Sequence, residues 1–314
     1  MPQPFRLRIA AIGECMIELR HLGDDRLELS FGGDTLNTAV YLRRAGAAQN
    51  LAVDYATALG DDPYSATMRS FFAREGIGLD LVRTLPGRLP GLYAIRTDAR
   101  GERSFYYWRG EAAARAMFDG LAGARLADTL ASYDWLYLSG ITLSVLDAEG
   151  RERLMDALDR ARARGGRVAF DSNYRPRGWP SAEAARAAFI DILARVDIAL
   201  PTFGDEKLLF GDDDPRDTIA RIGRLGVAEI VVKNGDDPAL ASDGRRIVEI
   251  APEKVTDIVD TTAAGDAFNG GYLAARIADL GLEDAVRAGH RLAGAVVRHR
   301  GAIIPHEAMP TPIR

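Results

Sequence analysis

One cysteine, Cys15, in 314 residues leaves no partner for an intrachain disulfide, a usage that suits a reducing cytoplasm. Basic residues are not in excess. The 40 Lys+Arg stand against 45 Asp+Glu, a net charge of −5, which argues against general nucleic-acid binding. An anionic small molecule remains permitted, because a few local arginines suffice to bind one. No uninterrupted apolar run reaches the roughly 18 residues that span a bilayer, and the opening MPQPFRLRIAAIGE lacks the apolar core of a signal peptide. These absences predict a soluble cytoplasmic protein without a membrane partner. The four histidines (His21, His290, His299 and His306) are too scattered for a metal set. Two familiar nucleotide cradles are missing as well. There is no G-x4-G-K-[ST] loop, and Ile12-Gly13-Glu14-Cys15 has the wrong residues for a G-x-G-x-x-G turn after a first strand.

What is present is globular in character, with 47% hydrophobic and 27% charged residues. A chain of this length buries about three quarters of its unfolded surface and needs no staple. Strand-like runs at 8–13, 134–140, 167–173, 198–202 and 229–235 alternate with amphipathic stretches at 35–45, 148–164, 181–194, 217–225, 264–279 and 282–299. This alternation predicts an α/β fold whose mostly parallel sheet is covered by helices on both faces. Ligands then bind beyond the carboxyl ends of the strands. The rhythm breaks at LYAIRT (92–97) and ERSFYYWR (102–109), joined by the turn-like Asp98–Gly101. We expect a β-hairpin there, with Leu27–Phe31 pairing with it. Spacing alone fits a lid over a cleft and an ordinary edge hairpin equally. The alanine-rich 112–116 and 182–188 read as helix, and 305–314, with three prolines, as an extended tail.

The sharpest signal is Asp260-Thr261-Thr262-Ala263-Ala264-Gly265-Asp266-Ala267-Phe268-Asn269-Gly270-Gly271. Small residues at Ala263, Ala264 and Gly265 admit a ligand close to the backbone, and a helix starting here offers unpaired N–H groups and a positive dipole end to an anion. Asp266, in the first turn, is placed to take a proton from an attacking hydroxyl. By spacing alone, it equally serves only as an acidic residue favoured at a helix start.

This string resembles the C-terminal signature of the PfkB, or ribokinase-like, carbohydrate kinases, and Phe31-Gly32-Gly33-Asp34-Thr35-Leu36-Asn37-Thr38-Ala39 resembles the GG-x3-N-x-A element of the same family. The likeness runs from IGECMIEL near the start to GAIIP at Pro305. It implies a single three-layer α/β/α domain over 1–314, with lid segments near 15–31 and 91–109. It also implies Asp266 as catalytic base, with the backbone of Ala263, Ala264 and Gly265 as the anion hole. IGECMIEL, SFYYWR, FDSNYRPRGW and HRGAIIP are most similar to the branch acting on keto-deoxy sugar acids. That likeness implies sugar contacts by Gly33, Asn37, Tyr93, Tyr107, Arg109, Asn173 and Arg175, with Glu14 where many relatives carry an aspartate. Guanidinium groups at Arg109 and Arg175 suit a carboxylate. The expected reaction moves the γ-phosphoryl of ATP to the C6 hydroxyl of 2-dehydro-3-deoxy-D-gluconate. The rivals are a fructokinase, a kinase for the galactonate epimer and, more distantly, a non-catalytic sugar-binding protein.

On the nucleotide side the resemblance implies Lys233, Gly235, Gly265 and His290. It departs at Asp236-Asp237-Pro238, where a glycine-bearing turn is usual, and at Phe203-Gly204-Asp205-Glu206, where the asparagine of an N-x-x-E element is missing. Mg2+ is expected to travel with ATP, with Glu206 organising it through water. A monovalent cation near 260–262 and a homo-oligomer joined through the lid are further family expectations.

Overall fold

The first strand, LRIAAI, is apolar at nearly every position because helices cover both of its faces. In the computed structural model, which describes residues 7–23, 25–97 and 103–311, the strands run in chain order β1 (Leu7–Ile12), β2 (Met16–Gly23), β3 (Arg26–Gly32), β4 (Leu51–Leu59), β5 (Val82–Thr84), β6 (Gly91–Thr97) and β7 (Arg103–Trp108). After these come β8 (Trp135–Ser139), β9 (Arg167–Asp171), β10 (Ile198–Ala199), β11 (Glu229–Val232), β12 (Ala239–Ser242) and β13 (Ile247–Ile250). Nine of them form one sheet in the order β13-β12-β11-β10-β9-β8-β1-β4-β5. It is parallel from β5 to β11, and β12 and β13 close one edge antiparallel.

Alternation along these strands divides the core into two layers. Ile12, Leu138 and Phe170 point into one, while Ala11, Tyr137 and Ala169 point into the other. The second layer holds the helices Asp34–Ala45, Ala264–Ile277 and Leu282–Val296. Two of these, Asp34–Ala45 and Ala264–Ile277, cross closely at Gly270, where a Cβ would lie 2.6 Å from the Tyr41 Cβ and 2.9 Å from the Leu42 N. Glycine is required there by contact, and that contact brings the two motifs together. No helix among the described residues is long and apolar enough to cross a membrane.

The remaining strands form a second sheet, β3-β2-β6-β7. The segment 27–31 was expected beside the hairpin; instead β2 intervenes, pairing antiparallel with β3 and parallel with β6. β2 leaves β1 after a short loop and turns straight back into β3, so it reaches β6 first. The turn expected at Asp98–Gly101 lies outside the described residues. Registration aligns Ser30, Glu18, Tyr93 and Tyr107 in one row across the sheet. Tyr106 and Trp108 point to the opposite face by alternation and are 51% and 62% exposed.

The helix expected at 112–116 is a short 3-10 turn, Ala113–Ala116. Nor is the tail simply extended. It turns once at His306–Ala308, and Ala308 and Met309 pack on Tyr41, Ala267 and Leu292. An apolar pair beside a buried surface overrides the extended preference of the flanking prolines.

Candidate active site

The site forms where the parallel strands end. Asp171 closes β9, Ser139 closes β8, Glu14 follows β1 and Lys233 follows β11. Above them the helix Ala264–Ile277 begins from Ala263, which holds a left-handed conformation (φ 59°, ψ 15°) with no glycine to ease it. Such strain costs about 1–3 kcal/mol and collects at functional sites. The preceding turn is secured by Asp260, whose carboxylate accepts from the Thr262 N–H (2.8 Å) and the Gly301 N–H (3.1 Å). First-turn N–H groups at Gly265 and Asp266 have no intrahelical acceptor four residues back, while the Ala264 N–H donates to the Thr261 carbonyl at 3.3 Å; this is the place of the expected anion hole.

Asp266 is half-buried beside it, and the Asn37 amide donates to its carboxylate at 2.9 Å. Burial, then the neighbouring Asp34 carboxylate, pushes the Asp266 pKa up to about 7, against the pull of the Asn37 hydrogen bond. A carboxyl poised there at neutral pH accepts a proton far more readily than an ordinary aspartate. Thr38 holds the same turn through its hydroxyl, which lies 3.2 Å from the Asp266 carbonyl and 3.1 Å from the Tyr137 hydroxyl.

The side of the cleft expected to take the sugar is built from β1, the small sheet and the helix start at Gly33. A Cβ on Gly33 would lie 2.2 Å from the Glu14 carbonyl oxygen, so only glycine lets the two loops meet. Glu14 is 2% exposed and ion-paired with Arg109, which follows β7. Burial raises its pKa, with Arg109 opposing. Two buried acceptors in this region, Glu14 Oε1 and Asn37 Oδ1, have no hydrogen-bond partner. Tyr107 stacks on Tyr93 at 5.8 Å, and the Tyr93 hydroxyl bonds to Glu18. Asn173 (φ 31°) donates to Asp34 at 2.7 Å. Arg175 stands apart from this group. Its side chain is 56% exposed and bonded to the Tyr174 carbonyl (2.8 Å) and, at 3.4 Å, to Asp205, an ion pair at the cleft's outer edge.

Three carboxylates escaped the sequence reading. Asp34 lies inside the GG-x3-N string and Asp171 at the end of a buried strand, so both carried a signal. Glu18 carried none, because only the lid register turns it inward beside Tyr93. Its Oε1 accepts from Ser30 at 2.9 Å.

On the side expected to take the nucleotide, Gly235 takes a left-handed turn (φ 65°) with open space where a Cβ would be. That turn accommodates Asp236-Asp237-Pro238. His290 is half-buried, with one ring nitrogen 3.1 Å from the Ile250 carbonyl and its ring edge-on to Phe268; burial lowers its pKa. Glu206 is 2% exposed and tied to Arg221 at 2.7 Å, and Arg221 also holds Asp212 at 2.6 Å. Its charge is committed to a structural ion pair. Among the described residues, no group of three or more His, Cys, Asp and Glu side chains is arranged to hold a metal ion. A metal carried in on phosphates, with few protein ligands, fits this donor set better than a resident one.

The profile of the pfkB family carbohydrate kinases matches residues 6–309. The chain belongs to the pfkB family. Among its pfkB relatives, the 2-dehydro-3-deoxygluconokinase of Dickeya dadantii is 48% identical over 305 residues, covering 96% of this chain and 98% of that one. The enzyme of the same name from Escherichia coli K12 is 47% identical over 306 residues, covering 96% and 99%. Among solved structures, a putative ribokinase II from E. coli in complex with ATP and Mg2+ superimposes with a TM-score of 0.81 at 21% identity, covering 98% of this chain and 96% of that one. That likeness speaks for the pfkB fold alone.

Proposed function

We propose that this chain phosphorylates 2-dehydro-3-deoxy-D-gluconate at its C6 hydroxyl, with ATP as donor and Mg2+ bound to the nucleotide. The observation that carries the reading is the pair of orphaned buried acceptors, Glu14 Oε1 and Asn37 Oδ1. A buried acceptor without a donor costs about 1–3 kcal/mol, and a polyhydroxy ligand removes that cost at both. Beside them Arg109 offers a guanidinium to a carboxylate, and Asp266 offers a base to the terminal hydroxyl. Relatives of the same printed name at 47–48% identity over almost the whole chain agree with this chemistry.

In the reaction, the C6 oxygen attacks the γ-phosphorus and its proton passes to Asp266. The backbone of Ala263, Ala264 and Gly265 meets the charge on the transferred group, the Gly265 N–H donating to it, and ADP leaves. Mg2+ neutralises phosphate charge when bound. The Tyr93–Tyr107 row of the lid excludes water. Gly235 and the edge of His290 frame the nucleotide side, Asn173 and Arg175 the acid's approach, and Glu206 acts on the metal only indirectly. A monovalent cation near 260–262 remains part of this proposal, as does a cytoplasmic setting suited to the buried Cys15 thiol.

The test is ADP release with Mg·ATP and a panel of 2-dehydro-3-deoxy-D-gluconate, its galactonate epimer, gluconate, fructose and ribose. We expect the keto-deoxy gluconate to give the highest kcat/KM. A preference for fructose or ribose refutes the assigned substrate and leaves the kinase chemistry standing.

The back of the lid exposes Leu27, Leu29, Tyr106 and Trp108 at 48%, 43%, 51% and 62%. An apolar patch of this kind marks an association surface, and we assign it to a second copy of the chain. Sedimentation should give a dimer that Trp108→Asp converts to monomer; a parent chain that sediments as monomer at micromolar concentration rejects the assignment.

A further inference from the structure

Lysine is rare in this protein. Of its 40 basic residues only Lys207, Lys233 and Lys254 are lysines, the rest being arginine. Lys207 and Lys254 are exposed. Lys233 is 7% exposed, and its side chain turns inward from the end of β11. Its ammonium donates to Asp171 Oδ2 at 2.9 Å and to Asn269 Oδ1 at 3.0 Å. Asn269 is itself fixed by donating to the Tyr137 hydroxyl at 3.0 Å and to Asp171 at 2.7 Å. Two of the three ammonium N–H bonds are therefore used.

The third has a direction open to it. A Cβ on Gly265 would lie 3.6 Å from Lys233 Nζ, so the ammonium lies directly beneath the first turn of the helix, with no side chain at 265 between it and a group held there. The charge balance there also calls for it. Asp34, Asp171 and Asp266 act on one another electrostatically, and Lys233 is the cation acting on Asp266. Without Lys233 this floor would repel a phosphoryl group. A compact ammonium fits between Asp171, Asn269 and the helix start, whereas the wide fork of the arginine used almost everywhere else does not.

We propose that Lys233 is a catalytic residue whose ammonium donates its third N–H to a non-bridging oxygen of the phosphoryl group in flight. The bond between the γ-phosphorus and the β–γ bridging oxygen breaks, with its electron pair leaving on ADP. The bond to the C6 oxygen forms, and the hydroxyl proton goes to Asp266. Lys233 stays protonated throughout, so it binds charge and transfers nothing. Asp171 and Asn269 position it. The proposal rests on phosphoryl transfer, not on which sugar is the acceptor.

Lys233→Met should lower kcat about a hundredfold, the loss typical of one transition-state donor. By calorimetry, the affinity for Mg·ADP alone should stay within about threefold, while the affinity for Mg·ADP with aluminium fluoride, a mimic of the transferring group, should fall about tenfold or more. Because Lys233→Met leaves Asp171 buried without its cation, the double variant Lys233→Met/Asp171→Asn is measured beside it and should show the same selective loss. Retention of kcat within threefold in a folded variant overturns the proposal. So does an equal loss of Mg·ADP and aluminium fluoride affinity, which would make Lys233 a ground-state nucleotide contact. Both fluoride titrations are run without sugar, so failure of the assigned substrate is read separately, from the panel.

Discussion

Asp266→Asn should lower kcat about a thousandfold, within the range for loss of a general base, while sugar affinity changes little. Asparagine keeps the size of the side chain and its place against Asn37, 2.9 Å away in the parent, but accepts no proton. Near-normal turnover would show that another group is the base. The same side chain sets the pH response. Only the ionised form accepts a proton, and burial with the Asp34 charge places its pKa at about 7. Activity should therefore fall as pH drops through 7, visible as the acid limb of kcat/KM. Stability runs the other way. The folded pKa lies above the unfolded value, so the stabilising contribution of this group is complete below about pH 4 and is lost as pH rises through 7. At pH 8 the asparagine variant should melt at a higher temperature than the parent, although it is nearly inactive.

Arg109→Ala should lower kcat/KM for the sugar acid about a hundredfold, mostly through KM, and leave the KM for ATP unchanged. The size follows from losing a charge-assisted hydrogen bond, about 1.5–3 kcal/mol. Arg109 is the arginine that reaches the buried side of the cleft, and Glu14, its partner, is 2% exposed. Removing the guanidinium takes away the grip on a substrate carboxylate and leaves Glu14 buried without a cation. A panel member without a carboxylate, such as fructose, separates the two. If its turnover falls as far as that of the acid, Arg109 acts by holding Glu14 and not by binding the substrate. Arg175, exposed and paired with Asp205, should cost much less when truncated.

The two motifs were legible because their chemistry is packed into short strings, and each string needs its small residues for a contact that only glycine permits. Gly33 and Gly270 both meet backbone atoms of distant segments. The parallel sheet was legible from the near-continuous apolar runs of β8, β9 and β11. The helix Phe203–Phe210 was not, since FGDEKLLF carries no apolar stripe and Leu208 is 63% exposed. Local pattern also gave no hint of the ion pair at Glu206. Its partner Arg221 lies 15 residues on, and no spacing rule links them. The inward course of Lys233 was hidden for the same reason. Its partners Asp171 and Asn269 come from a strand 62 residues earlier and a helix 36 residues later.

The bond between Asn37 and Asp266 closes a loop of 229 residues, and the tail adds two longer ones, from Tyr41 to Ala302 and from Arg44 to Ile304. Among the described residues, every strand of both sheets lies before residue 251. During synthesis both sheets therefore leave the ribosome ahead of the helix that bears Asp266, in an order of assembly fixed by the direction of translation. The entropy of closing so long a loop grows only logarithmically with its length, so the final docking is not heavily penalised. Until residue 266 has emerged, the growing chain has nothing in the place of the Asp266 carboxylate.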